Sequence, residues 1–137
     1  MKRRKNKFGR SGLERRIKED LDKRGISYEY ESIKLTYTKR ICQHCGKVVD
    51  TGTYTPDFII ARSSGIRLIL EGKGYFDSAD RSKMQRVKHD NPTEDIRLVF
   101  QRDQPIRKGS KTLYSQWAVK NGFKYCIGES IPKEWLL

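Results

Sequence analysis

Between Tyr54 and Lys73 the chain runs Tyr-Thr-Pro-Asp-Phe-Ile-Ile-Ala, breaks at Ser-Ser-Gly, and resumes as Ile-Arg-Leu-Ile-Leu-Glu-Gly-Lys. Two apolar, β-branched runs around a polar turn containing Gly65 predict a β-hairpin. Pro56 stands at the start of the first strand, where a missing N–H donor is tolerated. A turn centred on Ser64 puts Asp57 and Glu71 opposite one another across the ladder, and alternation puts Lys73 on the Glu71 face. Carboxylates gathered at one end of an apolar hairpin repel and need a compensating cation. A divalent ion supplies it: Mg²⁺ takes a few carboxylates, keeps some of its waters and accepts phosphate oxygens, and a nearby ammonium offsets charge on an attacking or leaving oxygen. The competing reading is a surface hairpin whose charges are solvated. Pro-Asp followed by Glu-Gly-Lys after a strand-length gap favours the metal site.

A chain of 137 residues supports one domain, and a hydrophobic content of 35% gives it a modest core that dimerisation would help. The formal charge of +13 points to a polyanionic partner, with nucleic acid ahead of a membrane surface. No apolar run is long enough to span a bilayer, and the basic N-terminus lacks the apolar segment of a signal peptide, so no membrane partner and a cytoplasmic location are expected. The 3 cysteines fit a reducing compartment better than a disulfide framework.

In chain order, residues 1–10 carry Lys2, Arg3, Arg4, Lys5, Lys7 and Arg10 with little apolar content, which predicts a flexible basic arm for phosphates or, alternatively, a localisation signal. The remaining residues, 11–137, form the domain. Ser11 is expected to cap a helix with Glu14 in capping-box spacing, and Leu13, Ile17 and Leu21 form its apolar stripe. Capping alone would account for Glu14. From Ser27 to Tyr37 alternation predicts a strand with Glu29, Ile33, Leu35 and Tyr37 on one face, Tyr28 and Tyr30 on the other.

An insertion at about 38–53 contains Cys42-Gln43-His44-Cys45-Gly46-Lys47, half of a zinc knuckle. A structural Zn²⁺ needs four ligands, and only His44, His89 and Cys126 remain as nitrogen or sulfur donors unless a second subunit contributes. A reduced hairpin loop is the competing reading. Asp77 or Ser78 caps a second helix to about Asn91, with Met84 and Val87 inward and Arg81, Lys83, Arg86 and Lys88 outward toward phosphates. Ile96 to Gln101 reads as a buried strand joined to the hairpin by a parallel crossover. Arg102 to Lys111 reads as a DNA-facing loop that includes Arg107, Lys108 and Lys111. A third helix around Leu113 and Trp117, a strand from Phe123 to Ile127, and an apolar end from Pro132 to Leu137 that docks on the core complete the chain. The order of elements predicts an α/β fold with a central mixed sheet flanked by helices.

Pro56-Asp57 with Glu71-Gly72-Lys73 looks like the PD-(D/E)xK signature of the restriction-endonuclease-like nucleases. Arg10-Ser11-Gly12-Leu13-Glu14, Tyr28-Glu29-Tyr30-Glu31, Tyr54-Thr55-Pro56-Asp57-Phe58, Asp95-Ile96-Arg97-Leu98-Val99-Phe100 and Ile131-Pro132-Lys133-Glu134-Trp135 together resemble, in order, the phage endonuclease I family of Holliday-junction resolvases. The insertion around Cys42 and Cys45 departs from the family pattern. The resemblance implies a restriction-endonuclease-like core in an intertwined, domain-swapped homodimer. It also implies cleavage of four-way and other branched DNA with Mg²⁺ or Mn²⁺, in the cytoplasm of a phage host. It brings Glu14 to the active site to share a metal and places Glu29 at the catalytic centre as an accessory acid. The expected mechanism is metal-assisted phosphodiester hydrolysis: Asp57 lies between two metals, Glu71 and the Gly72 carbonyl complete one site, Glu14 helps hold the other, and Lys73 orients water or offsets charge. The alternatives are a sequence-specific or mismatch-type nuclease on the same fold, and a non-catalytic zinc-stabilised DNA-binding module.

Overall fold

The computed structural model describes residues 12–137. Its centre is the predicted hairpin. We number the strands β1 (Glu29–Tyr30), β2 (Leu35–Ile41), β3 (Val48–Tyr54), β4 (Phe58–Ile60), β5 (Leu68–Lys73), β6 (Asp95–Phe100) and β7 (Tyr125–Ile127), and the helices α1 (Leu13–Lys23), α2 (Ser78–Asp90) and α3 (Tyr114–Lys120). Phe58 pairs with Leu70, Ile59 with Ile69 and Ile60 with Leu68, the register that a turn centred on residue 64 requires. That turn closes through the Gly65 N–H on the Arg62 carbonyl (3.0 Å), with Gly65 at φ 84°, where a Cβ would be strained.

The main sheet has the order β1-β4-β5-β6-β7. Pairing is antiparallel from β1 to β5 and parallel from β5 to β7, so the sheet is mixed. Alternation along the strands sorts the core into two layers. Phe58, Ile60, Leu68, Leu70 and Val99 meet the stripe Leu13, Ile17 and Leu21 of α1, together with Ile131 and Trp135. Ile59, Ile69, Ile96, Leu98 and Phe100 instead meet Met84 and Val87 of α2, Trp117 and Ala118 of α3, and Leu35, Tyr37 and Tyr54. The sheet is thus buried on both faces, as its parallel half requires. The chain end docks on the core as expected, through a short 3-10 turn at Lys133–Trp135.

The Ser27–Tyr37 stretch departs from expectation. It does not form one strand: β1 stops at Tyr30, Glu31 takes φ 49°, and β2 starts at Leu35 in a separate two-stranded ribbon with β3. A left-handed residue inside an alternating run leaves no trace in the polarity pattern, which is why periodicity alone misses the break. The helix start differs as well. Gly12, at φ 75°, is the N-cap of α1 and provides no side-chain cap, so Glu14 is not employed in a capping box; Ser11 lies outside the described residues. For α2 the expectation holds: the Asp77 carboxylate accepts the Asp80 N–H at 2.8 Å.

Candidate metal and DNA site

One position beyond the Phe58–Leu70 pair, just before β4 and within β5, the register carries Asp57 and Glu71 together, both only 6% exposed. Asp57 Oδ2 accepts the Gly72 N–H at 2.8 Å. Glu71 Oε2 accepts the Tyr54 hydroxyl at 2.5 Å, while Lys73 Nζ lies 3.3 Å from Glu71 Oε1 and 3.6 Å from Asp80 Oδ1. Glu14 arrives from α1 and accepts the Tyr30 hydroxyl on Oε2 at 2.5 Å. Carboxylate oxygens of Glu14, Glu31 and Asp57 lie within 4.8 Å of one another, the one such donor group of three or more among the described residues. Gly72 makes this approach possible. A Cβ there would stand 3.2 Å from Ile17 Cδ1 and 3.4 Å from Leu13 Cδ2, wedged between α1 and the strand.

The electrostatics are those of a site built for a cation. Burial, then the charges of Glu71 and Glu14, raise the Asp57 pKa well above the usual carboxylate range, against the Gly72 N–H and Lys73, which lower it. Burial also raises Glu71, opposed by Lys73 and by the Tyr54 hydroxyl. For Lys73, burial works to lower the pKa, but Glu71 and Asp80 outweigh it and the ammonium is held protonated. One lysine cannot balance the carboxylates of Glu14, Glu31, Asp57 and Glu71 when all are ionised. The oxygen-only donor set fits a hard divalent cation such as Mg²⁺ or Mn²⁺.

Asp57, Glu71, Lys73 and Glu14 are therefore brought together, and Glu29 is not. Its carboxylate is exposed and accepts the Ser32 hydroxyl at 2.7 Å, whereas Tyr28 and Tyr30 on the opposite side of β1 pack on Phe58. Glu31 stands in the acidic group instead, its N–H on the Asp57 carbonyl (3.1 Å). Sequence reasoning also missed Tyr30 and Tyr54, whose hydroxyls hold Glu14 and Glu71. The only available signal was that each tyrosine belongs to the same short motif as a site carboxylate.

The basic residues divide. Arg81 is not directed outward: its guanidinium donates to the carbonyls of Phe76 (2.7 Å) and Ile106 (2.9 Å), pinning the 102–111 loop to α2. Lys83 is half-buried, its ammonium 5.5 Å from the Tyr54 ring centroid and 5.8 Å from that of Tyr37. Arg86 is exposed and donates to the Lys39 carbonyl. Arg107, Lys108 and Lys111 are exposed on a loop whose Gln104 donates to the Gly74 carbonyl (3.1 Å), one residue beyond Lys73. An open groove of about 990 Å³ between the β2–β3 ribbon and α2 is lined by Lys39, Arg40, Arg86 and Lys88 among others, and by none of the acidic group. The arm residues Lys2, Arg3, Arg4, Lys5, Lys7 and Arg10 lie outside the described residues.

Cys42 and Cys45 sit at the tip of the β2–β3 ribbon. The Cys42 N–H meets the Lys47 carbonyl (2.8 Å) and the Gly46 N–H meets the Cys42 carbonyl (2.9 Å), a tight knuckle with Gly46 at φ 70°. Backbone N–H groups of Cys45 and His44, then the Cys45 thiol, make the Cys42 thiol more acidic than usual. Cys126 is elsewhere, packed in the α1-side core, where burial pushes its thiol up to about 12.

A mixed α/β domain here gathers buried carboxylates and a lysine at the end of a central hairpin, with a basic loop beside them, an arrangement able to hold a cation next to a phosphate. The chain belongs to the phage endonuclease I family, whose match covers residues 1–137. It is 35% identical over 128 residues to Endonuclease I of Escherichia phage T7, an alignment covering 93% of this chain and 77% of the relative. It is 34% identical over 117 residues to Endodeoxyribonuclease 1 of Enterobacteria phage T3, covering 85% of this chain and 69% of the relative. Among the described residues no helix is long and apolar enough to cross a membrane.

Proposed function

We propose that this protein is a structure-selective DNA endonuclease that resolves four-way (Holliday) junctions and other branched DNA by Mg²⁺-dependent hydrolysis, with Mn²⁺ as a substitute. We place it in the cytoplasm of a phage host. The observation that carries the reading is the convergence of buried Asp57 and Glu71 with Lys73 and Glu14 beside an exposed basic loop. Family membership and two relatives named as endonucleases, one of them an endodeoxyribonuclease, support DNA as the substrate.

Asp57 and Glu71 would hold the cation, with Glu14 and Glu31 bounding its other side. When bound, a divalent ion polarises water and offsets charge on the phosphate. The Gly72 N–H fixes one oxygen of Asp57 and leaves the other for ligand or water, whereas the Tyr54 hydroxyl and Lys73 engage one Glu71 oxygen each, so a cation there would compete with Lys73. Lys73, held protonated between Glu71 and Asp80, is placed to donate to a phosphate oxygen as negative charge develops there. Arg107, Lys108 and Lys111 supply affinity through phosphates and carry no sequence information.

The restriction-endonuclease-like core, the intertwined homodimer and the preference for branched DNA belong to the same proposal and rest on the family resemblance. Intertwining would exchange α1 and β1 between subunits. The test is cleavage of an immobile four-way junction against a matched linear duplex, with and without Mg²⁺. Junction-selective, Mg²⁺-dependent cutting that is lost in Asp57→Ala, Glu71→Ala and Lys73→Ala, with junction binding retained, is the expected result. Robust cutting by Asp57→Ala would refute the site, and equal cutting of both substrates would return a mismatch-type or sequence-specific nuclease.

A further inference from the structure

The Cys42–Cys45 knuckle has no part in the acidic site. Its fold is already that of a metal-binding turn: the paired hydrogen bonds across Cys42, Gly46 and Lys47 and the left-handed glycine direct two thiols from one tight loop. Two thiolates are half of a tetrahedral zinc site. The other half is not available within the chain. Among the described residues, no third histidine, cysteine or carboxylate joins the pair within ligand reach. Residues 1–11 contain none of these residue types. Cys126 is committed to the opposite core layer.

A second observation concerns the surface around the knuckle. Ile41, Val48 and Val49, immediately flanking it, are 48%, 54% and 53% exposed, an apolar patch at the tip of a ribbon whose other exposed residues are polar or charged. Such a patch beside an incomplete ligand set calls for a partner that brings both apolar surface and two more thiolates. We infer that two copies of this chain meet tip to tip and share one Zn²⁺, bound by Cys42 and Cys45 of each. Charge supports the pairing: each tip carries Lys39, Arg40 and Lys47 against Asp50, a net positive charge that repels its copy across a two-fold axis, while a zinc held by four thiolates is a dianion that offsets it. The two-fold contact also buries the same apolar patch of each copy, as an isologous interface requires.

The proposal is independent of the nuclease reading. The test uses the full chain stripped by chelator and titrated with Zn²⁺, followed by native mass spectrometry. Uptake should saturate at about half an equivalent per chain, with one metal in a particle of two chains. Co²⁺ in place of Zn²⁺ should give the intense thiolate charge-transfer spectrum of four sulfur ligands. Cys42→Ser and Cys45→Ser should each abolish this uptake, and Asp57→Ala should leave it unchanged. Saturation at one zinc per chain, uptake that survives both cysteine variants, a cobalt spectrum of fewer than four sulfurs, or no uptake at micromolar zinc would overturn the shared site. Because Asp57→Ala removes cleavage in the same preparations, failure of zinc sharing and failure of the nuclease site are read separately.

Discussion

Replacing Asp57 by asparagine should make the metal-free protein more stable while ending cleavage. Asparagine keeps an oxygen to accept the Gly72 N–H but carries no charge. The sign follows from the raised pKa of Asp57 in the folded state. Above the ordinary value of 3.8 the unfolded chain ionises freely while the folded one resists, so wild-type stability falls as pH rises from that value through the folded one. The asparagine variant escapes this loss. For the size of the effect, carboxylate oxygens of Asp57 and Glu14 lie within 4.8 Å. Two unit charges at that separation repel by about 3.5 kcal/mol at an effective dielectric constant of about 20. Lys73 offsets part of it, leaving ~2 kcal/mol, or about 7 °C in Tm for a chain of this length. Urea unfolding in chelator at pH 8 and at pH 4 measures it: the gain should be present at pH 8 and absent at pH 4. Mg²⁺ at roughly a hundred times its Kd should then stabilise wild type by ~2.7 kcal/mol and the variant far less. A variant no more stable than wild type at pH 8, or a gain that ignores pH, would refute the electrostatic account of the site.

Tyr54→Phe removes a hydroxyl that lowers the Glu71 pKa, so cleavage at pH 6 should drop about tenfold relative to wild type and converge with it at alkaline pH, as read from a rate–pH profile. Tyr75 is 74% exposed two residues beyond Lys73, and Tyr75→Ala should weaken junction binding by about tenfold through loss of stacking on an unpaired base, measured by fluorescence anisotropy. Deleting residues 1–10 should lower affinity and flatten its salt dependence without changing junction preference; a salt slope equal to that of the intact protein would show that the arm touches no phosphate. In the exchanged dimer, a heterodimer of Glu14→Ala and Asp57→Ala chains has one site with both lesions and one wholly wild type, so it should nick one strand of a junction. If each site is built within one chain, it should be inactive.

What could be read from sequence was what local chemistry decides. The hairpin register followed from the equal distances of Asp57 and Glu71 from the turn, α2 from the Asp77 cap, and α1 from the spacing of Leu13, Ile17 and Leu21. What could not be read depends on atoms far apart in the chain or on a single backbone angle. The positive φ of Glu31 turns the chain after one short strand, leaving Glu29 in solvent and bringing Glu31 to Asp57. Arg81 looks like one of several outward cations on a helix. It turns inward because two loop carbonyls need a donor there. Tyr54 looks like strand filler until Glu71 closes on it from 17 residues away.

The contact between α1 and the far end of the chain sets a timetable for synthesis. The Ile131 N–H binds Asp20 (3.1 Å), Arg24 binds the Ile131 carbonyl (2.6 Å), and Trp135 covers the same layer as Leu13, Ile17 and Leu21. The helix that delivers Glu14 is made first, but the residues that hold it against the sheet are translated last. At ordinary elongation rates the interval is roughly 5 to 20 s. Throughout that time α1 lacks the late segment that helps fix it, and Glu14 with it, against the sheet.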